Sequence, residues 1–355
     1  MKTQSAIPHH LPRRHHGQSG LTLIELMISI TIGLILAAGV IQIFIGSNQT
    51  YRFQEAMSRV QENGRFAIET LSRDLRNADY RGCLGRTLEE ADITDLTGGP
   101  GGGPGGGPGG GAGAIDFSGS IQGFTHDDGW SPALDADVAA EGPSTSGDVL
   151  RIRSAASANG AVSVSPEADQ SNGANLFVEE TSGFSQGQTV IGTNCSGGVR
   201  FTIQNNPGSG PGQLTIPGNP QFYDTYKPNN VIGMGAPSYY YIADGSIDDE
   251  PTLFRLDPDG STRELVEGIE RMVVEFGEDT NNDAEADTYR RANNVNDWER
   301  VVAARVSLLV RGRADNVTDE AQTIAFPPGG ASFTAGDRRL RQVFTTTTSL
   351  RNRLE

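Results

Sequence analysis

The stretch Leu21–Ile45 reads LTLIELMISITIGLILAAGVIQIFI, 25 residues with one charge, Glu25, and one amide, Gln42. As a helix it would be about 37 Å long, against a bilayer hydrocarbon core of about 30 Å. A soluble core helix would not stay apolar on every face over that length. The run predicts a membrane-spanning helix. Lys2, Arg13 and Arg14 precede it with no acid among them, which predicts a cytoplasmic N-terminus and a body on the far side. An ordinary secretory signal has its small-residue cleavage site after the apolar run. Here the small residues come before it, in Gly17-Gln18-Ser19-Gly20. A cut between Gly20 and Leu21 would remove a basic leader, residues 1–20, and leave the helix on the mature chain.

Glu25 lies at the fifth position after that cut. A charged side chain at mid-bilayer costs roughly 2.5–3.5 kcal/mol on insertion scales and usually has a partner. The cut would create an amine on Leu21, one helical turn away. Beyond Gly46 the pattern becomes amphipathic. Phe53, Met57, Val60, Gly64, Ala67, Leu71, Leu75 and Ala78 recur at steps of three and four, with Arg52, Glu55, Arg59, Glu62, Arg65, Glu69 and Arg73 largely off that stripe. The helix is expected over residues 21–79, its membrane part over 21–45. The rival reading of its second half is an ordinary amphipathic helix behind an anchor.

Residues 80–146 are expected to be flexible, because GGPGGGPGGGPGGGAGA at 98–114 cannot bury enough surface to offset its ordering entropy. It is not a phosphate cradle, since no Lys-Ser/Thr follows it. From residue 147 onward, short strand patterns follow one another: Val149–Arg153, Thr189–Ile191, Val199–Ile203, Ser238–Ile242, Leu253–Leu256, Met272–Phe276 and Val301–Val310. The two around the turn-rich segment 243–252 read as a hairpin. With no strand–helix alternation, residues 147–355 are expected to form an antiparallel β body. The fold class is α+β, one long N-terminal helix on an antiparallel sheet.

The net charge of −16 repels phosphate backbones and argues against nucleic-acid binding. Gly183-Phe184-Ser185-Gln186-Gly187 fits the nucleophile-elbow pattern, but a hydrolase of that type needs a His after its Ser. Outside the leader there is only His126, which comes before it. Asp279, Asn281, Asp283 and Asp287 offer oxygens at calcium-loop spacing. Against calcium, Ala284 stands where the sharp turn wants Gly, and Arg290 where a closing Glu should be. The alternative is a solvated acidic turn. Cys83 and Cys195 are the only cysteines. In an exported body a single disulfide is their simplest use; two separate thiols are the alternative.

Gly20-Leu21-Thr22-Leu23-Ile24-Glu25-Leu26-Met27 resembles the type III signal of type IV pilins and type II secretion pseudopilins. Leu21 replaces the usual Phe, and the proline that often kinks the helix is absent, leaving Gly33, Gly39 and Gly46 as candidate soft points. Glu264–Glu270, Trp298–Val302, Arg305–Arg311 and Arg341–Thr347 resemble the PilW-like minor pilins. The resemblance covers roughly Ser19–Arg81 and Ser238–Glu355. It implies a pilin-like fold, cleavage after Gly20 by a prepilin peptidase with N-methylation of Leu21, and no catalysis and no cofactor. It implies an inner-membrane protein with a periplasmic body that enters the pilus at the cell surface. Its partners would be other minor pilins, the major pilin and a large tip adhesin. A J-type pseudopilin of type II secretion shares the same helix and signal.

Overall fold

This computed structural model describes residues 22–80, 93–95, 120–153, 161–164, 175–194, 197–216, 228, 230–233, 237–248 and 250–354. The chain divides into two units, Met1–Arg52 and Phe53–Glu355. One helix, α1 (Leu23–Asn77), 55 residues long, runs without a break through both. The glycines read as soft points do not interrupt it. Within the apolar stretch, Ser29 and Thr31 donate their hydroxyls to the carbonyls of Glu25 and Met27 at 2.7 and 2.8 Å. Each hydroxyl is thus satisfied inside the helix, as a polar group away from water must be.

The strands are β1 (Ile93–Asp95), β2 (Ile121–His126), β3 (Trp130–Ser131), β4 (Val149–Ile152), β5 (Ala161–Ser163), β6 (Asn175–Val178), β7 (Thr189–Thr193), β8 (Gly198–Thr202), β9 (Gly212–Thr215) and β10 (Asn230–Gly233). They continue with β11 (Ser238–Asp244), β12 (Pro251–Leu256), β13 (Thr262–Glu267), β14 (Ile269–Glu278), β15 (Thr288–Arg291), β16 (Val301–Arg311), β17 (Thr323–Ala325), β18 (Ser332–Thr334) and β19 (Arg341–Ser349). A short helix, α2 (Ala136–Ala140), follows β3. A six-stranded sheet is ordered β13-β12-β11-β4-β2-β3 and a four-stranded one β15-β14-β16-β19. A five-stranded sheet, β1-β8-β7-β10-β5, and two ribbons, β6-β9 and β17-β18, complete the set. Among the described pairings only β1–β8 is parallel. Every strand expected from the sequence is present, and the expected hairpin pairs Tyr239 with Leu256 in antiparallel register.

One expectation is corrected. The stretch 80–146 was expected to be flexible, yet β2, β3 and α2 lie in it, and Ile121, Phe124 and Val138 are fully or almost fully buried. The Gly/Pro-rich run hid a strand pattern that begins only a few residues after it. Residues 98–114 themselves lie outside the described residues.

The body half of α1 packs through Ala56, Val60, Gly64, Ala67, Leu71 and Leu75, with Ala78 just past its end, onto the six- and four-stranded sheets, in one core with Leu150, Tyr240, Met272, Val274, Val306 and Leu308. Phe53, expected on this stripe, is 38% exposed instead. Close approach explains Gly64: a Cβ there would lie 2.3 Å from the Phe344 ring. Alternation along β11 sends successive tyrosines to opposite faces. Tyr240 points at the helix and donates its hydroxyl to the carboxylate of Asp74, which also meets Arg255 Nη1 at 3.1 Å. Tyr239 and Tyr241 face the other side, donating to Asp135 at 2.7 Å and Glu141 at 3.1 Å beside α2. A separate core gathers Val164, Leu176, Val190, Phe201, Leu214 and Val231.

The far end of α1 is fastened by residues 351–353. Asn352 Nδ2 donates to the Ala78 carbonyl at 2.8 Å, taking up one of the carbonyls a helix end leaves open. Arg353 Nε meets Asp79 Oδ2 at 2.8 Å, with side-chain exposures of 5% and 1%. The same guanidinium donates to the Val301 carbonyl at 3.0 Å and to Ser120 Oγ at 2.7 Å.

Candidate assembly site

Gly20 and Leu21 lie outside the described residues. α1 starts at Leu23, and Thr22 caps it. The Glu25 amide donates to Thr22 Oγ1 at 3.4 Å and the Thr22 hydroxyl donates to Glu25 Oε2 at 3.3 Å. The first bond is one half of a capping box; in place of the other half, Glu25 accepts the Thr22 hydroxyl rather than its backbone N–H. The Glu25 carboxylate is therefore placed at the positive end of the helix dipole. Thr22 had gone unread in the sequence, although the Thr-x-x-Glu pattern ahead of an apolar run is its signature.

Beyond this cap the side chains are exposed and apolar, with Leu23 77% and Ile43 75% exposed. An 18-residue window of α1 reaches a mean hydropathy of 2.4 with none of it buried. Surface of this kind is costly in water. The helix is long and apolar enough to cross a membrane, and the side chains it offers fit lipid or other apolar helices.

The other candidates resolve differently. Ser185 sits in a turn, its amide held by Gln188 Oε1 at 3.0 Å, while the His126 ring packs edge-on against Trp130. Among the described residues no hydrogen bond joins Ser185 to His126. The acidic loop closes on itself. Buried Asp279 accepts the amides of Asn281, Asn282, Asp283 and Ala284 at 3.2, 2.6, 3.3 and 3.0 Å. Asp287 accepts the Thr280 hydroxyl at 2.6 Å, and this bond holds its carboxyl below the usual carboxylate range. Arg290 pairs with Glu278 at 2.9 Å. Among the described residues no group of three or more His, Cys, Asp or Glu side chains is placed to hold a metal ion. The oxygens of Asp279, Asn281, Asp283 and Asp287 accept the loop's own donors. Cys83 and Cys195 lie outside the described residues.

Ala284 has φ +67°, in the left-handed region, where a Cβ costs roughly 1–2 kcal/mol. Ala284→Gly is therefore expected to stabilise the body by about 0.5–1 kcal/mol once the greater freedom of unfolded Gly is set against that strain. Urea unfolding of the full chain checks this; a lowered midpoint would contradict it.

The comparisons agree with both ends of the chain. Residues 239–352 match the family described as type IV pilus-assembly protein W, and residues 15–41 match the prokaryotic N-terminal methylation motif. No curated protein matches the chain. Among solved structures, a type IV-like pilin from Thermus thermophilus is similar at 12% identity over 83% of this chain and 98% of its own, with a TM-score of 0.32. The resemblance to PilW-like type IV pilins is thus shown in the N-terminal methylation motif and across residues 239–352.

Proposed function

We propose that the chain is a minor pilin, an assembly subunit with no reaction of its own. The observation that carries this is the coincidence, within residues 15–41, of the methylation motif with an exposed apolar helix whose first turn holds Glu25. In this reading a prepilin peptidase cuts between Gly20 and Leu21 and methylates Leu21. The helix 21–45 holds the protein in the inner membrane with its body in the periplasm. Other minor pilins, the major pilin and a tip adhesin are its partners, and Cys83 joins Cys195. The match over residues 239–352 favours a pilus subunit over a secretion pseudopilin.

The test is Glu25→Gln. Gln still accepts the Thr22 hydroxyl, so the Thr22 cap and insertion survive, but the charge that pairs with a newly exposed amine is gone. Leader removal is expected to be unchanged, with mass spectrometry placing Leu21 first; the same measurement without reductant reads the Cys83–Cys195 bond. Recovery of partner pilins with the variant is expected to fall at least tenfold, and surface pili with it. Unchanged assembly would leave Glu25 a helix cap only. A mature N-terminus other than Leu21 would end the prepilin reading.

A further inference from the structure

β19 is the last strand of the four-stranded sheet, and among the described strands it pairs only with β16, over nine residues without a shift of register. At its first residue the other side is already met by an amide. Gln322 Oε1 accepts the Arg341 N–H at 2.6 Å, and Gln322 Nε2 donates to the Arg341 carbonyl at 3.5 Å. That side chain stands where the peptide unit of a further strand would. Just past the other end, the Leu350 N–H donates to the Val302 carbonyl at 2.8 Å, so the even-numbered residues turn their main chain toward β16. Antiparallel alternation then points the N–H and C=O groups of Val343, Thr345, Thr347 and Ser349 outward, like those of Arg341. Thr345, Thr347 and Ser349 are exposed. Proline, lysine and bulges are the usual guards of an open edge, and this strand has none of them.

α1 borders the same edge. Gly64 lies against Phe344 of β19, and Met57, Gln61 and Ile68 share a row of the helix with Gly64 by their spacing. Met57, Ile68 and Phe344 are only half-buried against the core. The opposite flank of α1 is taken up by the six-stranded sheet, where Asn63 meets the Glu267 carbonyl and Asp74 meets Tyr240. Beside the open row stand Arg65 and Arg76, both exposed, while Glu55, Glu62 and Glu69 lie further round the helix. On the other face of β19, Arg305 lies 3.5 Å from both Thr347 Oγ1 and Glu275. β19 itself holds Arg341 and no acid, in a chain whose net charge is −16.

We infer that this edge accepts an added strand, an extended segment donated by a different polypeptide in which apolar and acidic residues alternate. Its main chain bonds the outward groups of β19, and its apolar side chains complete the burial of Met57, Ile68 and Phe344. The arginine border favours carboxylates at the alternate positions, where the acidic remainder of the surface would favour lysines. The slot lies in the body, apart from the helix tip that holds Glu25, so it can fail while the assembly reading stands.

The probe is a dye-labelled peptide of alternating valine and glutamate, matched to the nine residues of β19. It is titrated with full-length chain in detergent micelles and read by fluorescence anisotropy. Saturable binding is expected, about tenfold tighter than for the same residues in blocked order or for valine alternating with lysine. N-methylating the valine amides or the glutamate amides should abolish it in one case and not the other, because only every second amide faces β19. Thr347→Pro removes one outward N–H at a place where an edge strand tolerates proline, and is expected to weaken binding about tenfold. Thr347→Val keeps that N–H and should bind as wild type does. Circular dichroism checks folding; if the proline variant unfolds, the methylated peptides decide without altering the chain. No saturable binding, equal binding of the blocked peptide, or equal binding by folded Thr347→Pro would overturn the inference. Dimers of the chain that Thr347→Pro disperses, with no peptide bound, would give the edge to a second copy and overturn it too.

Discussion

Arg353→Met is expected to lower the stability of the body by about 3–5 kcal/mol, the largest loss foreseen for a single side chain here. Methionine keeps much of the volume but leaves Asp79, 1% exposed, without its guanidinium partner. It also strips donors from the Val301 carbonyl and Ser120 Oγ. Removing the guanidinium that faces a buried carboxylate costs more than an exposed pair contributes, so the loss exceeds that of any exposed ion pair among the described residues. For a body of this size the melting temperature should fall by roughly 10 °C. Pairing the change with Asp79→Asn should recover part of the loss, because the buried charge that faced Arg353 is removed while the short polar side chain still suits the φ of +58° at that position. Calorimetry on the full chain in detergent decides. A loss under about 1 kcal/mol would show that the buried pair does not hold the helix end.

Gly268→Ala is the second large effect, expected at about 2–5 kcal/mol. Gly268 joins β13 to β14 at φ +79°, and a Cβ there would lie 2.4 Å from the carbonyl oxygen of Arg311. That carbonyl belongs to backbone already tied to this turn, since the Arg311 amide donates to Gly268 O at 2.7 Å. The neighbouring Glu267 carbonyl accepts Asn63 Nδ2 of α1 at 3.0 Å. Two costs therefore add: the left-handed backbone, roughly 1–2 kcal/mol, and the displacement of a main-chain segment, typically 1–3 kcal/mol. Gly260 separates them. Its φ is +82° but nothing lies within 4 Å of its Cβ position, so Gly260→Ala should show the first cost alone. Equal losses in guanidinium unfolding would mean that the Arg311 carbonyl yields freely.

The sequence spoke most clearly where one physical constraint acted alone. The run Leu21–Ile45 has one reading because water and lipid sort side chains by polarity over its whole length, and α1 follows it. Tyr239–Ile242 and Leu253–Leu256 were legible as a hairpin because a period of two brackets a turn. Signals that need a partner distant in sequence were not legible. The helix-capping role of Asn352 and Arg353 depends on Ala78 and Asp79, more than 270 positions away. The strand Ile121–His126 was masked by the glycine-rich composition before it. At the acidic loop the sequence offers two readings, because oxygens at alternate positions suit a calcium ion and a solvated turn equally, whereas the amides that reach Asp279 follow from how the loop folds. At the candidate site Glu25 was found from its cost in lipid, whereas Thr22, a polar residue at a helix start, carried no cost to betray it.

The fastening of α1 by residues 351–353 also sets a schedule. α1 precedes the body strands in order of synthesis, but Asn352 and Arg353 follow all of the described strands. Until they arrive, the carbonyls at the helix end and the Asp79 carboxylate wait without these partners, whatever the sheets have already formed. Closing a contact across that many residues carries a large loop entropy and favours slow, late docking. A chain interrupted in its C-terminal strand would thus display an unlatched helix end, which is the kind of locally frayed segment that proteases cut first. The junction between helix and body thus depends on residues made after the strands that surround it.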